Sequence, residues 1–121
     1  LTISVRADQP SFDLCAALSA VDPQGRVLQL STGVARTQQL AGKKSLLQVQ
    51  LQPLLVELCP GERLRLSLAG AAWPQIAVNP GDGREPLGPA GPLHRVITLE
   101  IELADSQLQL LPLLDSKFGP H

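Results

Sequence analysis

The sequence predicts an all-β fold, a two-sheet sandwich, on three observations. Apolar residues alternate with polar ones wherever they gather, no stretch carries helical periodicity, and Gly, Pro and Asp separate the alternating runs. The chain has 121 residues, the length of one domain with a single core, and 44% hydrophobic residues, ordinary for a globular protein. Aromatics make up only 2%, so Leu, Val, Ile and Ala must build that core.

Each run has its own signature. Leu1, Ile3 and Val5 share one face of a first strand. Phe12, Leu14, Ala16, Leu18 and Ala20 make a second, closed by "DPQG" at 22–25, where Pro presets φ and Gly accepts a positive φ. "RVLQL" returns as the other arm of a hairpin, and "STG" at 31–33 predicts a further turn. The Leu- and Gln-rich stretch 46–58 could suggest a helix. Leu47, Val49 and Leu51 alternate with glutamines, however, and Pro53 would break a helix interior, which favours a strand. Leu64, Leu66 and Leu68 define the next strand, and Leu93 to Leu103 another. Leu108 and Leu110 open a last one, for seven or eight strands in all. Residues 79–92, rich in proline and glycine, cannot hold a regular ladder and predict a long loop.

Charge narrows the function classes. Ten Lys and Arg against eleven Asp and Glu give a net charge of -1 with no basic block, which argues against nucleic-acid binding. No apolar run reaches the length of a membrane span, and "LTISVRADQP" lacks the plan of a signal peptide. A chain that begins in mid-alternation without Met reads as a domain cut from a longer protein. Cys15 and Cys59 form no metal or disulfide framework and are expected as free thiols of a cytoplasmic protein. A bridge between them is the alternative.

Catalytic groups are scarce. No serine sits in GxSxG, and the glycines match no phosphate-binding loop. His94, placed on the polar face of a strand, and the terminal His121 lack motif partners for acyl transfer. Glu100 and Glu102 share an outer strand face, better explained as a solvated surface than as an acid pair. Asp13, Asp22, Asp82, Asp105 and Asp115 are expected near turns or strand ends, bonded to local backbone. No catalytic, cofactor-binding or metal-ligating residue is expected, and no cofactor.

Three segments in order resemble a known family: "LTISVRADQPSFDLCAALSAVDPQGRVLQLSTGVAR", "PGERLRLSLAGAAWPQIAVNPGDG" and "LHRVITLEIELADSQLQLLPLLD". They are similar to the C-terminal, non-catalytic domain of the X-Pro dipeptidyl-peptidase and cocaine esterase family of serine hydrolases. The specific elements are Asp22 to Arg26, the Thr-Gly-x-x-Arg turn from Thr32 to Arg36, the Gly-x-Arg-Leu-Arg-Leu strand, and the Asn-Pro-Gly segment. The family has His at Glu62, Phe at Trp73 and Arg near Gln75. The resemblance implies a jelly-roll, galactose-binding-domain-like sandwich spanning 1–121, attached to an α/β-hydrolase domain of the same polypeptide that carries the Ser-Asp-His triad. It implies an accessory role that shapes the active-site entrance.

Within that role "AAWPQIAVNPGDG" is the expected seam. Small residues allow close approach, Trp73 offers apolar area with one donor, Pro74 restricts the loop, and Asn79 bonds neighbouring backbone. The competing reading is an independent carbohydrate- or ligand-binding module. Sugar platforms need exposed aromatics, and only Phe12, Trp73 and Phe118 exist.

Overall fold

A computed structural model describes residues 1–72 and 75–110. These residues contain six strands and no helix: β1 (Thr2–Ala7), β2 (Ser11–Val21), β3 (Val27–Gln38), β4 (Lys44–Gln48), β5 (Arg63–Ala69) and β6 (Leu99–Gln107). Two antiparallel three-stranded sheets result, in the orders β4-β1-β6 and β3-β2-β5. The predicted two-sheet, all-β architecture is therefore the observed one.

The core lies between the two central strands. Ile3, Val5 and Ala7 of β1 meet Phe12, Leu14 and Ala16 of β2, and Val49 closes the cluster. Leu47, Leu66, Leu68, Leu99 and Ile101 pack around it, so every strand except β3 sends a leucine or isoleucine inward. Alternation explains the selection, since residues two apart in a strand share a face. Leu64, Leu66 and Leu68 sit half-buried at alternate positions of β5, as their spacing predicts.

The β2–β3 hairpin turns where its sequence predicts. Gly25 takes φ 84°, and its N–H donates to the Asp22 carbonyl at 2.9 Å. The Asp22 carboxylate accepts the N–H groups of Gln24 (3.0 Å) and Arg26 (2.8 Å). Burial pushes this carboxyl's pKa up, but hydrogen bonds from Arg26, Gln24 and Gly25 outweigh it and leave the pKa below the ordinary range.

Four expectations need correction. Residues 31–33 are no turn: β3 runs unbroken from Val27 to Gln38, with a bulge opposite Leu18 and Ser19. Gly33 serves a close approach instead, because a β-carbon there would run into the carbonyl oxygen of Gln50. The segment 49–52 lies against this part of β3, with Gln52 N–H donating to Thr32 O at 3.1 Å and the Ser31 hydroxyl donating to Gln52 O at 2.7 Å. Second, the strand expected through Leu51 stops at Gln48 as the chain crosses to the other sheet. Third, Leu93 to Thr98 stay outside β6. Arg95 N–H is bound by Pro80 O at 2.9 Å and Thr98 N–H by the Asp8 carboxylate at 2.8 Å, so the backbone follows the loop; Leu93 and Leu103 are exposed. Fourth, Leu108 and Leu110 lie beyond β6, and the remainder of the last expected strand falls outside the described residues.

Both cysteines are free thiols. Cys15 is buried in β2, whereas Cys59 stands exposed in the 49–62 connection, not in the apolar strand expected for it. Burial, reinforced by the charge of Asp13, raises the Cys15 pKa and keeps the thiol protonated. A thiol reagent at neutral pH should therefore modify Cys59 in the native protein and Cys15 only after denaturation. Mass spectrometry of the labelled protein reads this directly. Equal labelling of both cysteines before denaturation would contradict the packing of β2.

Candidate functional site

The strongest polar constellation is built on β2. Strands disfavour Asp, yet Asp13 follows Phe12 and precedes Leu14 as the third residue of β2. Alternation puts Phe12 and Leu14 in the core and Asp13 on the opposite face of β2, where its carboxylate is still 1% exposed. Asp13 stands near the start of β2, as expected of a strand end, but its carboxylate bonds the side chains of Arg36 and Asn79 in place of the local backbone. Its partner comes from directly across the sheet, in the register Asp13↔Arg36.

That pairing is bidentate. Arg36 Nε donates to Asp13 Oδ1 and Nη2 to Oδ2, each at 2.9 Å. Planar guanidinium and carboxylate match in this geometry, which a lysine could not reproduce. Hydrogen bonding to Asp13, only partly offset by burial, raises the Arg36 pKa further above its already high value. Nη2 also donates to Ala77 O at 2.8 Å, tying the long loop to the sheet.

Asn79 completes the network. Its Nδ2 donates to Asp13 Oδ1 at 2.9 Å, and its Oδ1 accepts from Ser11 Oγ at 3.0 Å and from Gly81 N–H at 2.9 Å. Buried polar groups are stable only when satisfied, and here each member supplies what another lacks. The arrangement is a latch holding the loop after β5 onto the N-terminal end of β2. Asn79, named as a seam residue, thus has its side chain engaged inside the domain; Trp73 and Pro74 lie outside the described residues.

Further along the loop, His94 is a second fastener. Gly91 N–H donates to its Nδ1 at 3.1 Å, which places the ring proton on Nε2, 3.3 Å from Val78 O. Both nitrogens therefore serve backbone, and none is left for a serine hydroxyl. His94 belongs to this loop, not to the expected strand face. Asp82 accepts Arg84 N–H at 3.0 Å and pairs with its guanidinium at 2.6 Å; the backbone bond, ahead of the ion pair, lowers its pKa.

Glu100 and Glu102 project from β6 as a solvated face. Glu100 lies 3.9 Å from Arg6, and Lys44 pairs with Glu102 and, at 3.2 Å, with Asp105. Among the described residues no cluster of His, Cys, Asp or Glu could hold a metal ion, and no helix is long and apolar enough to cross a membrane.

A family model described as the X-Pro dipeptidyl-peptidase C-terminal non-catalytic domain matches residues 1–111. The chain belongs to this family. Comparisons with curated proteins and with solved structures gave no match. A non-catalytic description agrees with the site: the acid and the amide, Asp13 and Asn79, hold loop to sheet, and His94 ties the loop to itself. It also gathers the motifs, since Asp13, Arg36 of the Thr-Gly-x-x-Arg element and Asn79 of the Asn-Pro-Gly segment are the three partners of one network. All three segments are visible in the sequence, but their contact is not.

Proposed function

We propose that this chain is the accessory domain of a serine hydrolase, of acyl esterase or X-Pro dipeptidyl-peptidase type. It packs on the α/β-hydrolase domain of the same polypeptide and helps shape the active-site entrance. The observation that carries the reading is the Asp13–Arg36–Asn79 latch, which spends a buried carboxylate on loop geometry. A loop fixed in advance loses less entropy when it docks, so a wall built from it can hold its shape against a partner. Trp73 and Pro74 supply the contact in this proposal, and Asn79 supports it indirectly by holding the loop that follows them. Two free thiols are in keeping with a reducing, cytoplasmic setting. The carbohydrate-module alternative is weakened by Phe12, which is fully buried and offers no stacking surface.

The chain alone should give no turnover of activated esters or X-Pro amides, while the longer polypeptide containing it should hydrolyse one of these classes. Fragment turnover abolished by a serine or His94 substitution would refute the assignment. So would a longer polypeptide that is inactive on both classes.

A further inference from the structure

In the Gly-x-Arg-Leu-Arg-Leu strand Leu64 and Leu66 turn inward, which leaves Arg63 and Arg65 on the outer face of the sheet β3-β2-β5. Both are exposed, and neither pairs with a carboxylate among the described residues. Register sets Val21 and Ser19 of β2 beside them, with Val27 and Gln29 of β3 beyond. Further along the same face come Ala17 with Ser67, then Cys15 with Ala69, a shallow floor of small side chains. The face ends at Asp13 and Arg36, where the loop is fastened through Ala77 O and Asn79. Among the described residues, Asp13 is the only carboxylate that the three strands carry on this face, and Arg36 neutralises it. The other sheet has the reverse balance: Glu100, Glu102 and Asp105 outnumber Arg6 and Lys44, with which they pair.

We propose that this face, from the latched loop to Arg63 and Arg65, is where the catalytic domain docks, through a surface that presents carboxylates to the two arginines. The inference rests on the reading of the chain as an accessory domain and names the side that the domain uses. Charge selects the chemistry of the occupant. A guanidinium stays ionised at any working pH, so covering these arginines demands carboxylates that pair with them. The same field repels a basic partner, while the carboxylates of the other sheet repel an acidic one, and together they fix the orientation of docking. Shape agrees. Small side chains between the arginines and the latch let another backbone approach closely. Val27 and Val34, 47% and 43% exposed, border that floor with apolar surface. The face is continuous with the seam, because Arg36 Nη2 ties Ala77 O of the seam segment to its far end.

Zero-length crosslinking in the longer polypeptide tests this. Arg63→Lys and Arg65→Lys together keep the charge and supply the amines that a carbodiimide couples to carboxylates in direct contact. Peptide mapping of the monomeric fraction should join position 63 or 65 to an Asp or Glu upstream of Leu1. Coupling only between copies would assign the face to self-association, through the carboxylates of the other sheet, and would overturn the proposal. So would coupling only within residues 1–121, or none from a folded variant. Hydrolase activity of the same preparation is scored separately. An inactive polypeptide with upstream crosslinks sinks the functional reading alone, and an active one without them sinks the face assignment alone.

Discussion

Replacing Phe12 with alanine should lower the stability of the domain by about 3–5 kcal/mol, the usual cost of emptying a fully buried aromatic site. Phe12 is wholly inaccessible and shares its cluster with Ile3, Val5 and Leu14, drawn from both central strands. Those strands anchor their sheets by backbone bonds on either side, so the cavity cannot close without moving a sheet. Among the described residues its cluster neighbours are aliphatic, Ile3, Val5, Leu14 and Val49 the largest, so none matches the volume of the ring. Urea titration would read the change as a fall in the midpoint at constant slope. The same substitution at half-buried Leu66, expected from alternation to fill the core, should cost less. A loss below about 1 kcal/mol at Phe12 would mean that the packed face of β2 has been misassigned.

That core was legible because its information is local. Alternation from Phe12 to Ala20 marks a strand, and Asp22 to Gly25 carries the chemistry of its turn. Where one residue type serves two purposes, local reading fails. Gly33 can signal a turn or a close backbone approach, and only the position of Gln50 decides for the second. Alternation between Leu93 and Leu103 continues through a stretch whose backbone bonds go to Pro80 and Asp8 instead of a strand. The latch was hidden for a different reason. Asp13 meets Arg36 across 23 residues and Asn79 across 66, separations that no periodicity spans. One signal was present: an aspartate flanked by Phe12 and Leu14 in a strand must find a partner or not be there.

Removing that partner should produce the second large effect. In Asp13→Ala, Arg36 loses both carboxylate bonds and Asn79 Nδ2 loses its acceptor, and water cannot readily reach the buried Asn79 amide to replace it. Breaking a buried ion pair from one side costs about 3–5 kcal/mol. Arg36 is 41% exposed and can be partly rehydrated, which favours the lower end, about 3 kcal/mol. Arg36→Ala strands the buried carboxylate and should cost at least as much. The double variant should cost clearly less than the sum, because the second substitution removes a charge that the first left unpaired. Asn79→Ala should act differently. It keeps the ion pair and releases the loop, so amide exchange should rise across residues 76–97 more than in β2 or β3. Additive costs for Asp13 and Arg36, or Asn79→Ala exchange that rises evenly over the whole domain, would show that the three residues act separately and that no latch exists.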